Sequence, residues 1–212
     1  MTTDSYFETR LTQDPRRDLL WRTLCESYFS RHIKSTDVVL ELGAGYCHFI
    51  NHIRAGERIA VDLWPGVVNY ALPPVKTHVG PASDLSFLPS GSLDVVFASN
   101  LFEHISQEDL SLTLKEVRRT LRPTGLLIIV QPNYRYAYRE YFDDFTHRTV
   151  YSHVSLSDFL QANKFKVVRC HAKFLPLTVK SRLPIHPLLI KLYLRSPVKP
   201  LAKQMLIRAV PA

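Results

Sequence analysis

Cysteine is scarce in this chain. Cys25, Cys47 and Cys170 lie far apart among 212 residues, and no Cys-x-x-Cys pair occurs. That pattern fits free thiols in a reducing cytosol rather than a disulfide framework or a zinc ribbon. No apolar run approaches the ~20 residues of a membrane span. Met1 to Ser5 lack the basic and apolar regions of a secretion signal, so a cytoplasmic location is expected. Internal repeats and low-complexity tracts are also missing. Metal-ligand spacing is confined to His48 and His52, four apart, but no glutamate follows His48 and no third ligand is evident. A catalytic metal is therefore not expected. Acidic residues are the minority charge, 19 against 27 basic, for a net charge of +8. Such a surplus suits either solubility or an acidic partner.

What remains is ordinary for a folded α/β chain: 46% hydrophobic and 22% charged residues. The organising stretch is Val38-Val39-Leu40-Glu41-Leu42-Gly43-Ala44-Gly45. A short apolar run reads as a buried strand, and an acid and two glycines follow at once. Phe49, Ile50 and Ile53 then recur at helical spacing. A strand, a tight glycine turn and a helix start together make a cofactor site, because glycines admit close approach and a helix start presents unpaired N–H groups. The third glycine of a dinucleotide fingerprint is absent, with His48 in its place, which argues against a bound pyrophosphate.

Further along, Arg58 to Asp62 reads as a second buried strand. Asp62 lies nineteen positions beyond Gly43, near the ~20-residue offset of a ribose-binding carboxylate. Lys76–Val79 forms a third short strand, Ser92–Asn100 a fourth and Leu126–Val130 a fifth. Phe165–Cys170 and Gln204–Val210 supply a sixth and seventh. Asp14-Pro15 starts a leading helix whose stripe of Leu20, Leu24 and Tyr28 runs to about Ile33. Ser106 caps another helix, with Leu110, Leu114, Val117 and Leu121 facing the sheet and Lys115, Arg118 and Arg119 solvated. Strands alternating with helices imply a doubly wound, mostly parallel sheet with helices on both faces. The whole of 1–212 is expected to be one domain, with a helical cap over 1–35, an insertion over 132–153 and a second over 171–203. Ligands of such sheets sit beyond the carboxyl ends of the strands, where Glu41, Asp62, Asp84, Asn100 and Gln131 all fall.

Glu41-Leu42-Gly43-Ala44-Gly45 resembles the first motif of class I S-adenosylmethionine-dependent methyltransferases. The resemblance implies a Rossmann-like sheet of seven strands closed by an antiparallel hairpin, and S-adenosylmethionine as cofactor. It implies that Glu41, Gly43, Ala44 and Gly45 hold the methionine end, while Asp62 takes the ribose. The family's Gly-Asp-Ala loop reads Gly80-Pro81-Ala82 here, so Ala82, Ser83 or Asp84 is left for the adenine. Asn100, at the fourth strand's polar end, completes the cofactor set. The leading helix is expected over the cofactor mouth or merely over a sheet face.

An alcohol acceptor needs its proton removed as the new bond forms. His104 in Asn100-Leu101-Phe102-Glu103-His104 is one candidate, with Glu103 as its structural or orienting partner. Tyr134 to His153 is the other candidate region. Five tyrosines, two phenylalanines and Asp143-Asp144-Phe145-Thr146-His147-Arg148 crowd there, more than a connection needs. Aromatic faces beside Asp144 and His147 would suit a sugar ring, and the Asp-x-Thr-His element resembles methyltransferases of polysaccharide and O-antigen gene clusters. The 171–203 segment carries seven basic residues from Lys173 to Lys203, no acid, and an apolar run of Leu188 to Leu194. It would rest on an anionic membrane surface, grip a lipid-linked acceptor, or pack against the domain or a second copy in a homodimer. The expected function is cytoplasmic O-methylation of a glycan or glycolipid intermediate. The alternatives are a nucleic-acid methyltransferase, disfavoured by a fourth strand ending Ser99-Asn100-Leu101-Phe102, and a non-catalytic module that keeps the fold.

Overall fold

A computed structural model describes residues 13–177 and 185–212. The expected features at Met1 to Ser5, and Lys180 and Arg182 of the basic segment, lie outside the described residues. The leading helix, α1 (Pro15–Ser27), opens as its sequence requires. The Asp14 carboxylate accepts the Arg16 N–H at 2.9 Å, and Pro15 occupies the first position, where no donor is needed. It ends at Ser27, short of Ile33, and the apolar stripe continues through a 3₁₀ turn over Phe29–Arg31.

The sheet is built from β1 (Val38–Leu42), β2 (Glu57–Asp62), β3 (Lys76–Val79), β4 (Leu93–Ser99), β5 (Leu121–Pro132), β6 (Phe165–Leu175) and β7 (Gln204–Pro211). Its order is β3-β2-β1-β4-β5-β7-β6. The first five strands run parallel, and β7 lies antiparallel between β5 and β6. Arg122 to Gly125 follow the helix α3 (Gln107–Thr120) without forming a loop. They bulge within β5 instead: Leu121 pairs with Leu93, and the register resumes at Leu126 opposite Val95.

Alternating side chains send each strand's apolar residues to both faces. Leu40, Leu42, Val96, Leu127, Ile129 and Ile207 meet α3 and α5 (His153–Ala162) through Leu110, Leu114, Val117, Leu156 and Leu160. Val39, Phe97, Ile128 and Leu206 meet the other layer: α1, α2 (His48–His52) and α6 (Pro187–Arg195), through Leu24, Phe49 and Ile190. Helices therefore cover both faces of a mostly parallel sheet. Arg119 departs from the solvated face expected of it. Its guanidinium binds Glu116 and the carbonyls of Leu85 and Leu88, pinning the chain that enters β4.

Candidate functional site

At the carboxyl ends of the parallel strands a cleft of about 1230 Å³ opens. The turn after β1 forms its floor. Gly43 and Gly45 both hold left-handed backbone, φ 66° and 49°, where a Cβ would be strained. A Cβ on Gly43 would also stand 3.0 Å from Leu101 Cδ1, so the turn is bare because Leu101 lies against it. Cys47, φ 57°, starts α2 in the same region.

The two expected carboxylates organise this turn from below. Glu41 is 5% exposed and accepts the Ile50 N–H of α2 at 3.0 Å. Burial pushes its acid well above the usual carboxylate range, opposed by the Ile50 bond and reinforced by Asp62. Asp62 bridges the cleft's two loops: Oδ2 accepts the Gly45 N–H at 2.8 Å and Oδ1 the Trp64 N–H at 2.8 Å. Burial raises its pKa, and those two bonds lower it. Each oxygen keeps a further lone pair, enough for a vicinal diol.

Glu41, Gly43, Ala44, Gly45, Asp62, Ala82, Ser83 and Asn100 all line the cleft. Asp84 does not. It is exposed, and its carboxylate turns back to the Ser86 N–H at 3.1 Å, an Asx turn that spends it on its own loop. Gln131 is likewise outside the lining, fully buried where β5 pairs with β7. Asn100 adopts φ 49° after β4, and its Oδ1 accepts from Gln204 Nε2 at 3.0 Å. From the first turn of α1, Arg17 reaches the mouth, and Trp21 both lines the cleft and packs on the sheet. The leading helix thus serves both expected places at once.

The far wall is made by the insertion, which starts with a short helix, α4 (Tyr134–Ala137). Backbone N–H groups of Arg148 and Thr149 bond the Glu103 carbonyl at 2.8 and 3.1 Å, and Thr149 Oγ1 bonds the Ile105 carbonyl at 2.8 Å. These ties bring His104, Asp144, Thr146 and His147 to one place. Thr146 Oγ1 donates to Asp144 Oδ1 at 2.6 Å and lies 2.9 Å from His104 Nδ1. With its single proton committed to Asp144, the hydroxyl accepts from His104, which places the imidazole proton on Nδ1 and the lone pair on Nε2. The His104 and His147 rings meet edge to face, centroids 4.8 Å apart. Burial, with His147 adding to it, lowers the His104 pKa to about 4. Glu103, fully buried behind them, is raised to about 8 by desolvation, with Asp144 contributing.

Residues 40–129 match the model of a family described as a methyltransferase domain. Over nearly the full chain, the fold matches a S-adenosylmethionine-dependent methyltransferase from Archaeoglobus fulgidus at 20% identity and TM-score 0.71, covering 99% of this chain and 100% of that one. Residues 40–129 thus carry a methyltransferase domain, and the chain has the fold of these enzymes. Another similar fold belongs to a putative methyltransferase from Haloferax volcanii, solved with a methyltransferase activator, at 16% identity and TM-score 0.69 over 93% of this chain and 91% of that one. A Thermotoga maritima methyltransferase, a possible histamine N-methyltransferase, matches at 20% identity and TM-score 0.66, covering 97% and 98%. No curated protein matches the chain.

The bare glycine turn and the doubly anchored Asp62 carboxylate fit the methyltransferase's cofactor: a surface the backbone leaves open, beside acceptors for ribose hydroxyls. Sequence reasoning missed Leu101, Leu201, Lys203 and Gln204 in the lining. The last three come from the far end of the chain, and no local pattern marks them.

Proposed function

We propose that this methyltransferase O-methylates a sugar-containing acceptor, a glycan or glycolipid intermediate. The observation that carries this reading is the polar line His104–Thr146–Asp144 set into an aromatic wall of the same cleft as the glycine turn. Glu41 and the Gly43–Gly45 turn would hold the methionine end of the cofactor, Asp62 the ribose diol, and Ala82 and Ser83 the adenine side. When bound, the cofactor supplies a methyl group on sulfur, and the C–S electron pair stays with sulfur on transfer. This chain's part is to seat the acceptor oxygen in line and draw off the hydroxyl proton. Phe145, exposed in the cleft lining, offers an apolar face to a ring. The group of His104, Asp144 and His147 faces the hydroxyl.

A lipid-linked form of the acceptor is supported by α6. Its Leu188, Leu189 and Leu192 are exposed, and Lys191 and Arg195 share that side. Leu201, further along the same segment, lines the cleft. Leucines flanked by cations suit an anionic interface. Among the described residues no helix is long and apolar enough to cross a membrane.

Incubation with tritiated-methyl cofactor and fractionated extract tests the acceptor class. Label is expected in the glycan or glycolipid fraction; label confined to nucleic acid would overturn the reading. His104→Ala is expected to lower turnover and leave cofactor affinity unchanged.

A further inference from the structure

The fully buried Glu103 carboxyl makes no hydrogen bond from either oxygen to another described residue. Leaving such a group dry and unpaired is costly, because the hydrogen bonds it makes to water in the unfolded chain are not replaced. Native structures seldom tolerate this without a proton, a water or a cation. The ligand atoms of Glu103, His104 and His147 lie within 4.8 Å of one another. Two imidazole nitrogens and one carboxylate oxygen on one side of a cleft form a donor set for a divalent transition cation; magnesium and calcium prefer all-oxygen surroundings.

The surroundings reinforce this reading. A metal-binding histidine donates its other ring N–H to an outer acceptor, which fixes the tautomer and ring orientation. His104 does so, through Thr146 to the Asp144 carboxylate. Three protein donors also leave positions open toward the cleft that Glu103, His104 and His147 all line.

We propose that Glu103, His104 and His147 bind one divalent transition cation of the zinc or manganese kind, which receives the acceptor hydroxyl. The proposal deepens the O-methylation reading by naming what acidifies that hydroxyl. The bound oxygen loses its proton to water in the cleft, and the resulting alkoxide, with its charge held by the cation, forms the new C–O bond as the cofactor's C–S bond breaks and its electron pair stays on sulfur. His104 then serves as a ligand through Nε2, and Thr146 and Asp144 are positioning residues. The motif that the chain displays openly, His48 and His52, is spent on Asp18: His52 Nε2 stands 2.6 Å from its carboxylate.

Cobalt(II) titration of chelator-dialysed full-length protein tests the site without any methyl acceptor. About one equivalent should bind, with visible d–d absorption and no thiolate charge-transfer band, which would otherwise report Cys170. His147→Ala and Glu103→Gln should each weaken binding more than about tenfold. Thr146→Val keeps every ligand and the side-chain volume, and should weaken it within the ~10–100-fold range of outer-shell changes. Circular dichroism of each variant checks folding, and Thr146→Val carries the test if Glu103→Gln does not fold. No stoichiometric binding, or equal binding by wild type and His147→Ala, would overturn the proposal. Label entering glycan with chelated protein would sink the cation and leave the acceptor reading standing. Cobalt bound at these residues, with no label in glycan, would do the reverse.

Discussion

Asp62 performs two tasks with one carboxylate, so its substitutions separate them. It ties Gly45 to Trp64 through one bond on each oxygen, and its remaining lone pairs face the cleft. Asp62→Ala should weaken S-adenosylhomocysteine binding by about 1–3 kcal/mol, the scale of hydrogen bonds to a charged group. Calorimetry measures it, and unchanged affinity would remove Asp62 from the ribose site. At Gly43 two costs compete. Gly43→Ala should destabilise the fold by about 1–2 kcal/mol because of its left-handed backbone. Adding Leu101→Ala removes the 3.0 Å contact but not the backbone strain, so the double variant should recover cofactor affinity only in part.

Glu41 gives a pH dependence. Burial raises its folded pKa above the unfolded value of about 4.3. The folded state therefore holds this proton more tightly than the unfolded state. The corresponding stability is present at low pH and is lost as pH rises from the unfolded pKa through the folded one. Glu41→Gln keeps an acceptor for the Ile50 N–H without the buried charge. Its melting temperature should gain on wild type as pH is raised from about 5 to 8. A constant difference across that range would show that the carboxyl does not titrate differently on folding.

Among the elements, the helices follow their end residues and the connections follow their partners. In α5, Ser152 accepts the Ser155 N–H at 3.1 Å, and Ser155 Oγ accepts the Ser152 N–H at 3.0 Å in return. Ser152→Ala should cost about 1 kcal/mol in denaturant unfolding. It should leave cofactor affinity alone, since α5 packs on the sheet face through Leu156 and Leu160. The insertion is held differently. It is pinned by backbone bonds to the Glu103 carbonyl, by Tyr141 Oη donating to the Thr149 carbonyl at 2.6 Å, and by an ion pair of Glu140 with Lys203. A loop anchored to the segment after β4 and to the approach of β7 can hold a fixed wall with only a short helix over Tyr134–Ala137 and a 3₁₀ turn over Tyr141–Asp143 of its own.

At the scale of the molecule, the basic surplus and the exposed leucines of α6 underlie the proposed membrane contact. Co-sedimentation should retain the protein on vesicles rich in phosphatidylglycerol and not on phosphatidylcholine. Retention should fall in Leu188→Ser/Leu192→Ser and with added salt, which screens exposed charges over roughly 10 Å at 0.1 M. Equal retention on both lipids would argue against an anionic interface.

The sequence by itself determined the sheet's parallel half, the glycine turn and the two acids beneath it. Each is local: apolar runs of strand length, left-handed positions that glycine fills, and carboxylates placed by a strand's last residue. The same locality misled at Asp84, whose position after a strand resembles a binding carboxylate but whose side chain closes its own turn. It misled again at Arg119, which reads as solvent-facing yet grips two carbonyls far back in the chain. Only the tertiary structure decided that His104, Thr146 and Asp144 form one hydrogen-bonded line, and that Glu103 and His147 stand beside it. Those encounters depend on a loop folding back across the sheet's edge, and a side chain's partners across such a distance leave no periodicity in the residues between them.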